Sequence, residues 1–336
     1  MSIPSASDNG IFLRMTYQAM SEAGLDCAAI FASVGMPDTP PDQSERRVNS
    51  PQRRFWLKAE QVSGDPDIGL HIGERMPPFR GQVLEYLFLS SPTFGDGLRR
   101  ALRYNRLMTD ALQFHLREEN GVAILSGLEH PVRHYLESAT CILLRFLSQV
   151  TEGDFQATAV RFRHPRGATL EAYRRVLRAP VTLGADEGAI HFDAALLARQ
   201  SLAAEPELLA VHEQLAENRM IDLARRDFLL ALDQELGGLL EQGNVSLDAL
   251  SARLGLAPRA LRTKLAAAGT SFKTMVAAYR ARLARRLLAR TNEPLDQIIY
   301  LTGFSEPAAF TRAFKRWTGE TPTAYRRRKH AAPHNL

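Results

Sequence analysis

The chain has 336 residues, of which 45% are hydrophobic and 24% are charged, a balance typical of globular domains. No run of about 18 apolar residues occurs, and the N-terminus lacks a basic segment followed by an apolar one, so the composition predicts neither a membrane span nor a secretory signal. The net charge of +5 conceals an asymmetry, because 17 Lys/Arg and 5 Asp/Glu lie from Val245 onward, leaving 25 basic and 32 acidic residues before it.

The first half of the chain begins with helical patterns. Apolar residues recur every three to four positions, the spacing of one helix face. Glycine and proline interrupt the pattern and mark turns. The pattern predicts helical structure over 11–34, and a helix, a turn and a short helix over 52–76. It then predicts a helix from Val83, a turn over Ser90–Gly97 and a long helix from Asp96.

Strand patterns begin after residue 112. Alternating apolar and polar residues flank Glu119-Asn120-Gly121, and an Asn-Gly pair between two such runs predicts a β-hairpin. A helical stretch over 134–151 follows. Strand-like alternation at 158–165 and 189–197, with a helical stretch between, adds a strand–helix–strand unit. Helices mixed with short strands in this order predict an α+β domain.

Two groups of polar side chains in this half suit a ligand site. One belongs to a connection between a strand and a helix, and the other offers anchors for an anionic ligand. A polar connection and surface ion pairs are the simpler explanations. The members are His130, His134, Tyr135 and Glu137 in the first group, and Arg80, Tyr104 and Arg106 in the second.

Motifs for catalysis or for a bound metal or cofactor are missing from the sequence. It contains no GxxxxGK, GxSxG or HExxH motif, and "HEQLAEN" at His212 lacks a second histidine four residues on. Cys27 and Cys141 have no CxxC partner and indicate buried thiols in a reducing cytoplasm. We therefore predict no catalytic residue, no metal and no cofactor.

A helical stretch over 205–243 links the two halves of the chain. Its apolar residues offer a dimer contact. Gly237-Gly238 and Gly243-Asn244 are predicted as breaks before the basic segment, because glycine interrupts a helical pattern.

The basic segment contains an internal repeat. Its copies are "SLDALSARLGLAPRALRTKLAAAG" and "PLDQIIYLTGFSEPAAFTRAFKRWTG". Each is typical of two helices joined by a short turn with a glycine, the helix-turn-helix arrangement. Pro258 fits the first turn of one second helix, and Ser305 is the predicted N-cap of the other. The aligned pairs are Gly255 with Gly303, Leu261 with Phe310, and Leu265 with Phe314.

The second helix of each copy has an inner apolar face and an outer face of arginines and short residues. Such an outer face suits a DNA groove, because short side chains permit close approach and arginine can bond guanine bidentately. The outward residues are Arg259, Arg262, Thr263 and Ala266 in the first copy, and Ala308, Thr311, Arg312 and Lys315 in the second.

A continuous helix is predicted over 271–291, between the copies. A helix of this length could hold two recognition helices about one DNA turn, ~34 Å, apart. Its other face carries arginines that suit either phosphates or salt bridges within the domain. The predicted inner residues are Met275, Tyr279, Leu283 and Leu287, and the arginines are Arg280, Arg282, Arg285 and Arg286.

From about Val245 to Arg328 the chain resembles the DNA-binding domain of AraC/XylS transcription regulators. The two helix-turn-helix units, the linking helix and the closing "TGETPTAYRR" occur in order. Ala257 departs from the polar N-cap common before Pro258. The resemblance implies two helices, Pro258–Ala266 and Glu306–Lys315, that read adjacent major-groove segments. It places Arg259, Arg262, Thr263, Pro307, Ala308, Thr311 and Arg312 at base-facing positions, with Lys315 better placed for phosphate.

The N-terminal half resembles the sensing domain of the arabinose-binding-type branch of that family, chiefly over "DPDIGLHIGERMPPFRGQVLEYLFLSSPTFGDGLRRALRYNRLM". We therefore expect an α+β sensing domain over 11–205 and a helical linker over 206–243. An all-α DNA-binding domain over 244–329 should follow, with two helix-turn-helix units joined by a long helix.

The leading hypothesis is a sequence-specific transcription regulator controlled by a small-molecule effector in the N-terminal domain. The expected partners are double-stranded DNA, the effector, RNA polymerase from the resemblance, and a second copy of the chain, with no membrane; the expected location is the nucleoid in the cytoplasm. Two alternatives are a ligand-independent regulator whose N-terminal domain only dimerises, and an enzyme with a DNA-binding tail, which would need a reactive cysteine.

Overall fold

A computed structural model describes residues 6–331 of the chain. They form two compact units, an N-terminal unit ending at Leu223 and a C-terminal unit beginning at Ala224. The division lies inside one helix, α9, which spans Pro206–Glu241. No helix within the described range is both long and apolar enough to cross a membrane.

The N-terminal unit is mainly helical. Side-chain caps set several helix starts, since Asn9 accepts a hydrogen bond from the Ile11 backbone N–H and Thr93 accepts one from Asp96. The helices are α1 (Gly10–Glu22), α2 (Cys27–Ala32), α3 (Gln52–Ser63), α4 (Ile68–Arg75), α5 (Val83–Ser90), α6 (Phe94–Arg103), α7 (Arg133–Val150) and α8 (Leu170–Leu177), with short 3-10 turns at Asn105–Leu107 and Ala194–Ala198.

Two sheets complete the N-terminal unit. A two-stranded sheet pairs β1 and β2, and a five-stranded sheet has the order β3-β4-β7-β5-β6. All pairs are antiparallel except β5 with β6. The predicted α+β class is therefore confirmed. The strands are β1 (Ser7–Asn9), β2 (Arg46–Val48), β3 (His115–Glu119), β4 (Val122–Ser126), β5 (Ala157–Phe162), β6 (Val181–Leu183) and β7 (Ala189–Asp193).

The predicted hairpin is confirmed, and the predicted strand–helix–strand unit is partly wrong. Asn120 and Gly121 have φ of 51° and 79°, the backbone that an Asn-Gly hairpin turn requires. The strand parallel to β5 is β6, which the sequence analysis missed. The predicted strand at 189–197 is β7, which pairs antiparallel with β5. A three-residue strand is too short to show a strand period.

The helix predicted from Asp96 is present as α6, but its predicted start and its predicted length are wrong. Helix α6 begins at Phe94, because the Thr93 hydroxyl caps the Asp96 N–H, and it ends at Arg103. The Asn105 side chain then donates to the carbonyl of Leu112 at 2.7 Å and turns the chain back. The turn predicted over Ser90–Gly97 is correspondingly reduced to the residues between α5 and α6.

Two glycines allow α4 to pack closely against α7. A Cβ at Gly69 would lie 2.3 Å from the Cα of His134, and one at Gly73 would lie 2.9 Å from the Sγ of Cys141. Both distances are shorter than any van der Waals contact, so the four-residue spacing of these glycines creates the groove that receives α7.

The C-terminal unit is helical, which confirms the predicted class. Two apolar clusters form its core, one around Leu250, Leu261 and Leu265 and the other around Phe310 and Phe314. The end of α9 packs in the first cluster. The remaining helices are α10 (Leu247–Arg253), α11 (Pro258–Ala267), α12 (Phe272–Arg290), α13 (Leu295–Leu301), α14 (Pro307–Thr318) and α15 (Pro322–Ala331).

The break predicted at Gly237-Gly238 is wrong. Helix α9 continues through both glycines to Glu241, because Leu236 and Leu239 on either side are buried in the first cluster. The chain turns instead at Gly243, where φ is 67°.

The continuous linking helix is confirmed as α12, and its predicted inner face is displaced by about one residue. The predicted residues Met275, Tyr279, Leu283 and Leu287 are only partly buried. Because α12 packs against both clusters, its small alanines are also drawn inside. The buried positions are Val276, Ala281, Ala284 and Leu288.

Candidate functional site

The first helix-turn-helix unit consists of α10 and α11. Gly255 between them has a φ of 64°, a left-handed conformation that glycine adopts at little cost. Leu261 and Leu265 of α11 are buried against Leu250 of α10. Ala257 occupies the N-cap of α11 and makes no side-chain cap bond, as its side chain dictates. The predicted inner face of this unit is confirmed.

The second unit consists of α13 and α14. Gly303 makes the turn with a φ of 71°, and the rings of Phe310 and Phe314 are fully buried. The prediction that Ser305 caps this helix is wrong. Because the helix begins at Pro307, the N-cap is Glu306, which makes no side-chain cap bond. Both second helices therefore begin with a proline at the first position and lack a side-chain cap.

The predicted DNA-facing residues lie on one exposed face of each second helix. The cations among them make no ion pair within residues 6–331. Thr263 donates its hydroxyl to the carbonyl of Arg259, so its side chain lies along the helix. Thr311 is partly buried, and the exposed residues are Arg259, Arg262, Thr263, Pro307, Ala308, Arg312 and Lys315.

The arginines of α12 serve mainly the interior of the C-terminal unit. Arg282 pairs with Asp233 of α9, and Arg285 donates to the carbonyl of Trp317 at 2.5 Å. Arg280 donates to the carbonyl of Gly303 at 3.0 Å. Arg282 and Arg286 both lie exposed, and Arg286 makes no ion pair among the described residues. These arginines were predicted to contact either DNA phosphates or other residues of the domain. Arg280, Arg282 and Arg285 make contacts within the domain.

Arg280 is a positioning residue that the sequence analysis did not identify. Its guanidinium lies 5.0 Å from the ring centroid of Phe304, while its hydrogen bond reaches the carbonyl of Gly303. It therefore fixes the turn that sets the direction of α14. Burial lowers the pKa of this guanidinium below its usual value. No local motif reveals the contact, because its partners are more than twenty residues away.

The N-terminal unit contains an apolar cavity of about 310 Å³. Its wall combines side chains from α1, α3, α5, α6 and α7. Phe12, Phe55, Phe88 and Phe146 are representative members. A largely apolar cavity of this size with a few polar groups is typical of a small-molecule site.

A buried hydrogen-bond network contributes Asp8, Thr109 and Tyr135 to the polar part of the cavity wall. The Asp8 carboxylate accepts hydrogen bonds from the Thr109 hydroxyl at 2.6 Å, the Tyr135 hydroxyl at 2.8 Å and the Asn49 amide at 2.7 Å. His130 contacts the Asn49 side-chain oxygen at 2.7 Å. Burial raises the pKa of Tyr135 well above its usual value, and burial also lowers the pKa of His130. The network therefore holds Tyr135 protonated and favours neutral His130.

The candidate ligand residues from the sequence separate into different places. Of the first group, Tyr135 lines the cavity and His130 lies behind it in the network. His134 and Glu137 lie in a buried polar cluster in which Tyr173 donates to Glu137.

The anchors proposed for an anionic ligand lie outside the cavity wall. Arg80 is exposed, and Arg106 pairs with Asp110 at 2.8 Å. Tyr104 is buried, and its hydroxyl approaches Glu217 at 3.5 Å. None of the three lines the cavity as the structure describes it.

The structure bears on metal binding and on thiol chemistry in the described part of the chain. No group of three or more His, Cys, Asp or Glu side chains there could hold a metal ion. Cys27 and Cys141 are free and buried, and burial raises the pKa of Cys141 to about 12. Such a thiol is almost entirely protonated at neutral pH, which disfavours nucleophilic chemistry.

Known proteins share both halves of this arrangement. Residues 24–201 match the model of the N-terminal arabinose-binding domain of AraC transcription regulators, and residues 250–328 match a helix-turn-helix domain model. The ornithine utilization regulator of Pseudomonas aeruginosa is 28% identical over 314 residues, covering 91% of this chain and 92% of the relative. The regulator VirS of Mycobacterium tuberculosis is 29% identical over 202 residues, covering 60% of this chain and 58% of the relative.

A solved structure, the regulator CdpR from Pseudomonas aeruginosa, covers 93% of this chain and 98% of its own, with 19% identity and a TM-score of 0.42. The arabinose-binding-domain match alone spans more than half of the chain, and the helix-turn-helix match follows it in the expected order. The chain therefore belongs to the AraC family of transcription regulators, as a DNA-binding regulator with an arabinose-binding-type domain before its helix-turn-helix domain.

Proposed function

We propose that α11 and α14 are two recognition helices that read adjacent major-groove segments of one duplex. The observation that carries this proposal is the exposure of Arg259, Arg262 and Arg312, which have no ion-pair partner among the described residues. An unpaired guanidinium can form two parallel hydrogen bonds to guanine O6 and N7. Short neighbours such as Ala308 allow the helix backbone to approach the base edges.

The length of α12 supports a spacing of about one helical turn between the two segments. Its 19 residues span about 28 Å at the rise of an α-helix. This length is close to the ~34 Å that separates successive major-groove segments on one face of DNA. Helix α12 lies between the two helix-turn-helix units in the chain, so its length bears on their spacing.

Selection from a pool of random duplexes with the full chain tests this proposal. We expect an enriched motif of two segments with centres about 10 base pairs apart. The double variant Arg259→Ala/Arg262→Ala should relax only one segment, and Arg286→Ala, an exposed arginine of α12, is the matched control. Equal and strongly salt-dependent affinity for all duplexes would overturn the proposal, because it is typical of phosphate contacts alone.

We also propose that a small molecule bound in the N-terminal unit controls DNA binding. The cavity of about 310 Å³ supports this proposal. Control requires that the ligand bind two states of the protein with different affinities. The regulator would act in the cytoplasm at the nucleoid, with RNA polymerase as a further partner. Measuring DNA affinity with and without a ligand that raises the melting temperature tests control directly.

A second candidate is a ligand-independent regulator whose N-terminal unit serves dimerisation. Leu208, Val211 and Leu215 on α9 favour it, because they are 53%, 62% and 40% exposed and recur at helical spacing. Sedimentation of the full chain should then show a dimer that Val211→Glu dissociates. Leu202→Glu, at a highly exposed apolar residue outside α9, is the control. A monomeric parent protein would contradict this candidate.

A further inference from the structure

The cavity is partly open to solvent, is lined by side chains of the N-terminal unit, and is apolar over most of its wall. Rings from separate helices, among them Phe55, Phe88 and Phe146, face the space. Its volume is about 310 Å³. At the liquid volume of about 30 Å³ per water molecule, such a space accommodates on the order of ten non-hydrogen atoms.

Two buried hydrogen-bond donors on the cavity wall have no acceptor among the described residues. They are the indole Nε1 of Trp56, a side chain only 2% exposed, and the Nε of Arg47. The Arg47 side chain is 43% exposed, and a terminal nitrogen of its guanidinium pairs with Glu45, so the buried, unpaired nitrogen is the Nε. A buried donor without an acceptor is costly, and a bound molecule with acceptor oxygens would remove that cost.

The only acidic group that lines the cavity among the described residues is already occupied. Asp8 accepts three hydrogen bonds, from Thr109, Tyr135 and Asn49. It therefore offers little to a ligand ammonium group. The two unpaired donors of the wall thus require an acceptor, and Arg47 is the one cation that lines the cavity among the described residues.

We propose that the cavity binds an apolar monocarboxylate of about ten non-hydrogen atoms. Its tail lies among the phenylalanines, and its carboxylate accepts hydrogen bonds from the donors on the wall, with Arg47 supplying the charge. This assignment rests on the proposed effector control and names the chemical class of the effector. A zwitterionic amino acid of similar size fits this wall less well, because the only carboxylate there among the described residues, Asp8, already accepts three hydrogen bonds.

Measuring the affinity of the full chain for four probe molecules tests the proposed chemical class of the ligand. Octanoate, 1-octanol and octylamine share an eight-carbon tail and differ in the head group, and ornithine is a charged amino acid of similar size. Trp56 lines the cavity, so its fluorescence in a Trp317→Phe background reports binding directly. We expect octanoate to bind about tenfold more tightly than octanol, the value of one charge-assisted hydrogen bond. Octylamine should bind more weakly than either, and ornithine should not bind.

Three variants distinguish the contribution of the Arg47 charge to binding from that of the cavity volume. Arg47→Gln should weaken octanoate about tenfold and octanol much less, because it removes the positive charge and the Nε donor but retains an amide donor. Arg54→Gln, an arginine of α3 outside this cavity, is the matched control. Ala101→Phe fills the cavity and should abolish binding of both probes while the native circular dichroism is retained.

The outcomes distinguish this inference from the proposed function. Ornithine binding, equal affinity for octanoate and octanol, or an unchanged octanoate affinity in Arg47→Gln would overturn the assignment. Sequence-specific DNA binding without octanoate binding would overturn the assignment and leave the DNA-reading proposal intact. Octanoate binding that depends on Arg47 and leaves DNA affinity unchanged would support the ligand class and contradict effector control.

Discussion

Replacing Arg312 by alanine should damage DNA recognition and leave the fold intact. Arg312 is exposed on α14 and makes no ion pair within the described residues, so its removal breaks no internal contact. The expected change in the free energy of unfolding is within about 0.5 kcal/mol. Loss of a bidentate contact to guanine should cost about 1–3 kcal/mol of binding and relax the preference at one base position.

Phe314 lies two residues further along α14, and Phe314→Ala should destabilise the fold, the opposite of the effect expected for Arg312→Ala. Phe314 is fully buried, and its ring lies 5.8 Å from that of Phe310 and 5.4 Å from that of Tyr325. Truncating a buried phenylalanine leaves a cavity and costs about 3–5 kcal/mol of stability. This is a large share of the stability of a small domain, so the C-terminal unit should unfold at a much lower denaturant concentration.

Each consequence has its own measurement. Trp317 is the one tryptophan of the C-terminal sequence, and in a Trp56→Phe background its fluorescence follows urea unfolding of that unit. Anisotropy with the selected duplex and with single-base variants gives affinity and specificity. Substantial destabilisation by Arg312→Ala together with a neutral Phe314→Ala would show that the inner and outer faces of α14 have been assigned the wrong way round.

Three further predictions address the interior. Arg280→Ala should destabilise the C-terminal unit by about 1.5–3 kcal/mol in urea unfolding, because it removes a charged hydrogen bond. His130, His164 and His191 have pKa values lowered from 6.5, mainly by burial, so the unfolded chain binds more protons. Above pH 6.5 these histidines do not lower the free energy of unfolding. As the pH falls below 6.5, the unfolded chain takes up more protons than the folded one, and the free energy of unfolding decreases. The melting temperature of the N-terminal unit should therefore drop between pH 7.5 and 5.5, and less so in His130→Gln. Cys141, with its pKa raised to about 12, should react with a thiol reagent at pH 8 only as the unit unfolds.

The helix-turn-helix faces were predictable from the sequence because they depend on local spacing. Leu261 and Leu265 in one copy, and Phe310 and Phe314 in the other, lie four residues apart on one side of a helix. Both residues of such a pair are buried where one neighbouring element covers that side of the helix. Helix α12 breaks this rule, since it contacts two clusters and buries Ala281 and Ala284, residues whose small size carries no strong apolar signal.

The cavity could not be predicted because no local pattern records it. Its wall joins Asp8, in the three-residue strand β1, to Tyr135, more than a hundred residues away, through a side-chain hydrogen bond. A three-residue strand carries almost no period, and an apolar residue beside an empty space has the same sequence signature as one in a filled core. The unpaired nitrogen of Trp56 is likewise a property of the assembled packing.

Arginine content alone would also have led to a different proposal for the DNA-binding surface. Arg280, Arg282 and Arg285 are as basic as Arg259 and Arg312, yet contacts inside the C-terminal unit occupy them. A guanidinium that is already hydrogen-bonded would have to give up a partner to bind phosphate, so it gains less from DNA than a free one. The salt dependence of binding should therefore reflect the unpaired cations of α11 and α14 rather than the full excess of positive charge. Composition reveals that a basic surface exists, and only the contacts show which cations remain free to form it.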